Sequence, residues 1–64
     1  MTEDEAKQVI RNCGWTPRTR QDRKGTKWYL YAYQKRKGKV TEKYIAPIEG
    51  LERMTEETIV SKLL

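Results

Sequence analysis

The chain has 64 residues, with 14 Lys or Arg, nine Asp or Glu and no His, for a formal net charge of +5. That length holds one small domain, 1–64, and excludes a Rossmann unit, a TIM barrel or a kinase lobe pair. A lone cysteine with no histidine excludes an internal disulfide framework and a single-chain zinc site of four Cys or His ligands.

Taken in chain order, Thr2-Glu3-Asp4-Glu5 has the spacing of a capping box, with three acids where a helix dipole favours them. Ala6, Val9, Ile10 and Cys13 recur at helical spacing, and Gly14 and Pro17 stop the run. A helix over about 3–13 follows. Residues 14–26 read as a basic loop around a short edge strand at 18–23. Lys27 to Lys35 holds Trp28, Tyr29, Leu30, Tyr31 and Tyr33, all good strand formers. Lys35-Arg36-Lys37-Gly38-Lys39 is a charged turn, Val40 to Ile45 the returning strand, and Pro47 its end. The hairpin spans roughly 27–46. Thr55 is the N-cap of a last helix whose apolar stripe is Ile59, Val60, Leu63 and Leu64, with Leu51 and Met54 able to extend it backwards. The predicted fold is α+β: an N-terminal helix, a two- or three-stranded antiparallel sheet, and a C-terminal helix packed on one sheet face.

Strand alternation sorts the hairpin into two faces. Trp28, Leu30, Ala32 and Gln34 share one, and Lys27, Tyr29, Tyr31, Tyr33 and Lys35 the other. On the returning strand Val40, Glu42, Tyr44 and Ala46 oppose Thr41, Lys43 and Ile45. A two-residue turn at Lys37-Gly38 pairs Tyr31 with Tyr44 and Leu30 with Ile45. Helices then cover Trp28, Leu30, Ala32 and Ile45, with Trp28 in the core against Leu63 or Ile59. The tyrosine face is left free. The competing reading makes the tyrosines ordinary strand formers, half buried under a helix. Trp15 closes the core from the side or stands exposed, and Cys13 completes the first helix's apolar face.

The charge is unevenly placed. Residues 1–10 hold three acids and one base, 11–43 hold eleven bases and two acids, and 44–64 hold four acids and two bases. A +9 block thus lies between two −2 flanks, which suits a polyanionic partner. Within it, tyrosines interleave with bases, as nucleic-acid surfaces require for stacking and phosphate attraction. The candidate binding residues are Arg18, Arg20, Arg23, Lys24, Lys27, Tyr29, Tyr31, Tyr33, Lys35, Arg36, Lys37, Lys39, Lys43 and Tyr44. The arginines suit bidentate base or phosphate contacts. Nothing in the sequence suggests an enzyme, a metal or a cofactor: there is no imidazole, Gly-rich phosphate loop, paired carboxylate motif or CxxC.

The segment Arg23-Lys24-Gly25-Thr26-Lys27-Trp28-Tyr29-Leu30-Tyr31-Ala32-Tyr33, then Lys37-Gly38-Lys39 and Lys43-Tyr44-Ile45, resembles the small arm-type DNA-binding domain of tyrosine integrases. Hairpins of a similar type also occur in small archaeal and viral proteins. The resemblance covers about residues 18–64. It implies a three-stranded sheet lying in the DNA major groove with a helix packed behind. Arg20, Arg23, Tyr29, Tyr31, Tyr33, Lys39 and Lys43 would then lie on or beside the groove, with Trp28, Leu30 and Ile45 toward the C-terminal helix. The chain departs from the family in its capped first helix and in lacking the recombinase catalytic region, so only the DNA-binding mode carries over.

The expected function is therefore binding of nucleic acid, with duplex DNA favoured, as a regulator of transcription or a chromatin-like factor. Two alternatives are an RNA or single-strand binder, and an inhibitor of viral type or other protein-interaction module docking an acidic partner. A homodimer in which Val60 and Leu64 face a second subunit would double the basic surface. No apolar run spans a membrane, and Met1 to Glu5 is acidic and leads into no apolar segment. The expectation is an intracellular protein of cytoplasm or nucleoid, with Cys13 reduced, no membrane association and no small-molecule substrate.

Overall fold

The first helix forms because both of its ends are closed by local hydrogen bonds. In the computed structural model, which describes residues 1–64, the Glu5 N–H donates to Thr2 Oγ1 at 3.2 Å and the Thr2 N–H to Glu5 Oε1 at 2.8 Å. These two bonds make the capping box, and the Thr2 backbone bond holds the Glu5 carboxyl below its ordinary value. Helix α1 runs Glu3–Asn12 and buries Ala6, Val9 and Ile10. Its end is a Schellman turn: the Trp15 N–H donates to Ile10 O, the Gly14 N–H to Arg11 O, and Gly14 takes φ +84°.

Three strands follow: β1 Thr16–Gln21, β2 Trp28–Arg36 and β3 Lys39–Pro47. They form one antiparallel sheet in the order β1-β2-β3. The strand before the hairpin is thus real and begins two residues earlier than expected. Pro17 is tolerated there because β1 is an edge strand. A 3-10 helix, Ile48–Arg53, leads to α2, Glu56–Leu63, whose N-cap Thr55 accepts from the Thr58 N–H. The architecture is α+β, with the C-terminal helix packed against a three-stranded antiparallel sheet. No helix is long and apolar enough to cross a membrane.

The β2–β3 turn fixes the register. Arg36 pairs with Lys39, so the loop is Lys37-Gly38, with φ of +50° and +79°. Two successive positive φ values are the mark of a type I′ turn, whose twist suits a hairpin. Counting back from it places Tyr31 opposite Tyr44, as expected. Beyond that pair a β-bulge intervenes: Leu30 pairs with Ala46, not Ile45. Ile45 is the extra residue, and both Ile45 and Ala46 turn inward and are buried. Strict alternation had placed Ala46 on the tyrosine face.

The core lies on one side of the sheet only. Leu30, Ala32, Ile45 and Ala46 meet Ala6, Val9 and Ile10 of α1, Leu51 of the 3-10 helix, and Ile59 and Leu63 of α2. Cys13, Trp15 and Val60 are partly buried against this cluster, whereas Leu64 is exposed. Trp28 corrects the sequence expectation, because it is 50% exposed and not core. It stands on the helix side of the first residue of β2, past the end of the covered zone. There it borders a shallow 320 Å³ groove with Glu3, Thr19 and Ile48.

Candidate nucleic-acid interface

With both helices on one face, alternation leaves the other face of the sheet uncovered. It carries Arg18 and Arg20 on β1, Tyr29, Tyr31, Tyr33 and Lys35 on β2, and Val40, Glu42 and Tyr44 on β3. The tyrosines of β2 are half-buried by their neighbours on this face, not by a helix.

The face is ordered by a diagonal ladder. Arg18 is opposite Tyr31 in the β1–β2 register, and Arg20 opposite Tyr29. Each guanidinium leans two residues toward the hairpin tip. Arg18 Cζ lies 4.5 Å from the Tyr33 ring centroid, and Arg20 Cζ 5.0 Å from that of Tyr31. Such diagonal neighbours are within reach for long side chains on a pleated sheet, and a cation over a phenol ring is attracted by its quadrupole. Arg20 also forms an ion pair with Glu42 of β3, across the full width of the sheet. The Tyr44 ring meets Tyr31 edge-on at 5.4 Å and Tyr29 at 6.2 Å. Desolvation, then the neighbouring Tyr29 and Tyr31, hold the Tyr44 phenol above its ordinary value of 10.0. Lys62 of α2 approaches the same ring, at 5.9 Å.

Two basic clusters flank this centre at opposite ends of β2, whose nine residues span about 27 Å. At one end is the β1–β2 loop with Arg23, Lys24 and Lys27. Asp22 builds that loop: its carboxylate accepts from the Thr26 N–H at 2.9 Å and the Thr26 hydroxyl at 3.0 Å. The Thr26 backbone bond holds the Asp22 carboxyl below its ordinary 3.8. Lys27 lies 3.6 Å from Glu49, with both side chains more than half exposed, a pair that water screens. At the other end are Lys35, Arg36, Lys37 and Lys39, all exposed and none in an ion pair. Alternation sends Arg36 and Lys39 to the helix side of the ribbon and Lys35 to the tyrosine side, so the tip is basic on both faces.

Of the candidate residues on the strands, Arg36, Lys39 and Lys43 lie on the helix side, contrary to the expectation for Lys39 and Lys43, and Lys43 is the one held away from the tip and the tyrosine face alike. It is opposite Ala32, hence on the helix side. Its ammonium donates to Leu64 O at 3.3 Å and lies 5.5 Å from the Trp15 ring centroid. The two-residue turn dictates this, since Tyr44 opposite Tyr31 forces Lys43 inward. Glu42 is the residue that the sequence reading passed over. Its signal was available: it shares strand parity with Tyr44, inside a basic block that holds only one other acid. No three His, Cys, Asp or Glu side chains gather as a metal site would require.

No protein-family model, no curated protein and no solved structure matches this chain.

Proposed function

We propose that the chain is a duplex DNA-binding protein that seats the uncovered face of its sheet on the double helix and holds the backbone with its two basic ends. The observation that carries this reading is the one-sided packing of the helices, which leaves an arginine-on-tyrosine ladder open between two clusters of exposed cations, of which only Lys27 has an acidic neighbour. The two basic clusters lie at opposite ends of β2, about 27 Å apart, so both can meet the backbone of one duplex.

The ladder favours a duplex over a single strand. Single-strand binders need free aromatic faces on which bases stack. Here guanidinium groups already lie over Tyr31 and Tyr33, and Tyr44 is packed edge-on against Tyr31. A guanidinium lying over a ring can still donate from its in-plane N–H groups: those of Arg18 have no acidic partner, whereas Arg20 gives one to Glu42, and such a fork matches guanine O6 and N7 or a phosphate. The likeness to the arm-type integrase domain supports the same mode of binding and nothing about recombination.

The test is a fluorescence anisotropy titration with a duplex of about 20 bp, its single strand and an RNA hairpin, each over a range of KCl. Duplex binding is expected to be tightest and to weaken steeply with salt. Single-strand or RNA binding tighter than duplex binding would reassign the face, and no salt-dependent binding to any of them would refute the reading.

A further inference from the structure

Glu42 is the only acid on the uncovered sheet face. The other acid of the basic block, Asp22, lies in a turn with both carboxylate oxygens engaged by Thr26. A face that only gathered phosphates would gain from any neutral residue in place of Glu42, because a carboxylate there repels the polyanion. Glu42 instead meets Arg20, which extends from β1 over Tyr31 to reach it. The bond uses Arg20 Nη2 and Glu42 Oε2. Arg20 Nη1 and Nε and Glu42 Oε1 remain free for a ligand. Arg18, beside this pair, has no acidic partner.

The centre of the face is therefore nearly balanced in charge and rich in oriented donors and acceptors. The surplus of cations lies at the two ends. Phosphates are charged and base edges are neutral, so the two zones suit different parts of a duplex. In the major groove guanine offers two acceptors and cytosine an amino donor, which arginine and a carboxylate complement respectively. On the reading of this face as a duplex-binding surface, we propose that the Arg20–Glu42 pair reads sequence. Arg20 donates to guanine and Glu42 Oε1 accepts from a cytosine amino group, so the protein selects sites holding a G·C pair at its centre. Glu42 is the specificity residue, and the end clusters add affinity without sequence information.

The experiment selects duplexes from a randomised pool with the wild-type chain, Glu42→Gln and Arg20→Lys, and then measures affinity for the selected site and for the same site with the G·C pair changed to A·T. Wild type should enrich a G·C-containing site and lose roughly 5- to 150-fold in affinity when that pair is changed. Glu42→Gln should lose most of that discrimination while binding unrelated duplexes several-fold more tightly. Arg20→Lys keeps the charge and loses the planar fork, so it should lose discrimination with the salt dependence unchanged. Circular dichroism melting of each variant reports folding separately. Equal tightening of Glu42→Gln on matched and changed sites would overturn the proposal, leaving Glu42 as mere repulsion, and so would a wild type that binds duplexes without preference. Failure of the wild type to bind any duplex would be the distinct result that removes the DNA-binding reading itself.

Discussion

The hairpin tip offers the most direct quantitative test of the surface. Lys35, Arg36, Lys37 and Lys39 are exposed and lack acidic partners, so no folded-state ion pair is lost when they are neutralised. The variant Lys35→Gln, Arg36→Gln, Lys37→Asn, Lys39→Gln removes four positive charges. Asparagine is chosen at position 37 because φ there is +50°, a conformation that Asn tolerates better than Lys, and Asn-Gly is the favoured pair for this turn. Thermal unfolding should therefore be unchanged or slightly improved. Each phosphate contact contributes about −0.9 to the slope of log affinity against log salt. If two to four of these side chains touch phosphate, the slope flattens by about 1.8 to 3.6. Across a fourfold rise in salt, the advantage of wild type over the variant should shrink by about 12- to 150-fold. Anisotropy titrations of one labelled duplex at several KCl concentrations measure both slopes. Lys7→Gln with Arg53→Gln, on the helix side, serves as the control and should leave the slope nearly alone. A folded tip variant whose slope equals that of wild type would refute the placement of phosphate at the tip.

Three further outcomes follow from the packing and titration of the fold. Leu30→Ala empties a fully buried position at the centre of the core and should cost about 2–5 kcal/mol. A core this small rarely supplies more than about 3–5 kcal/mol, so the loss is a large share of the total, and urea denaturation should find the midpoint far below that of the wild type. Trp28→Ala should leave a folded chain whose remaining fluorescence, from half-buried Trp15, is bluer and harder to quench with acrylamide; an unfolded product would restore Trp28 to the core. The Asp22 and Glu5 carboxyls both have folded values below their ordinary 3.8 and 4.5, so their contribution is full above those values and is lost as pH falls through the lowered ones. Stability should therefore decline below about pH 4.5, and Asp22→Asn should flatten part of that decline in a pH series of chemical melts.

The elements were legible where the determinants are local. Thr2 and Glu5 announce the first helix, Gly14 its end, Lys37-Gly38 the hairpin turn, and Thr55 the last helix. The Tyr31–Tyr44 pair follows from that turn by counting. What local pattern could not supply lies further from the turn. The bulge at Ile45 arises where the sheet must twist to let two adjacent residues, Ile45 and Ala46, both reach the core. Period-two alternation has no place for such a residue. Trp28 has the right parity for the core and the wrong position along the strand, because parity says which side a residue faces and not how far the helices extend beneath it. The family likeness put Lys39 and Lys43 with the tyrosines, although their own strand parity assigns both to the other side. Glu42 has the parity of Tyr44, but its pairing with Arg20 lies beyond local pattern, because Arg20 reaches it from the far strand of the sheet.

The separation of charge has the same origin as the helices themselves. Seven of the nine acids lie in α1, the 3-10 helix and α2, and five of those seven occupy the first turns of α1 and α2. Acids are favoured there because they complete caps and meet the positive end of the helix dipole. Basic residues collect on the strands and turns, where edge strands also need charge to discourage pairing with other chains. Each preference acts locally, yet together they leave most acids in the helical elements and most bases on the strands and turns. The same strand that supplies Leu30 and Ala32 to the core holds Tyr29, Tyr31 and Tyr33 in place. The backbone that carries the face is therefore the backbone that carries the core, and the order of the Arg18 and Arg20 ladder depends on the packing that stabilises the fold.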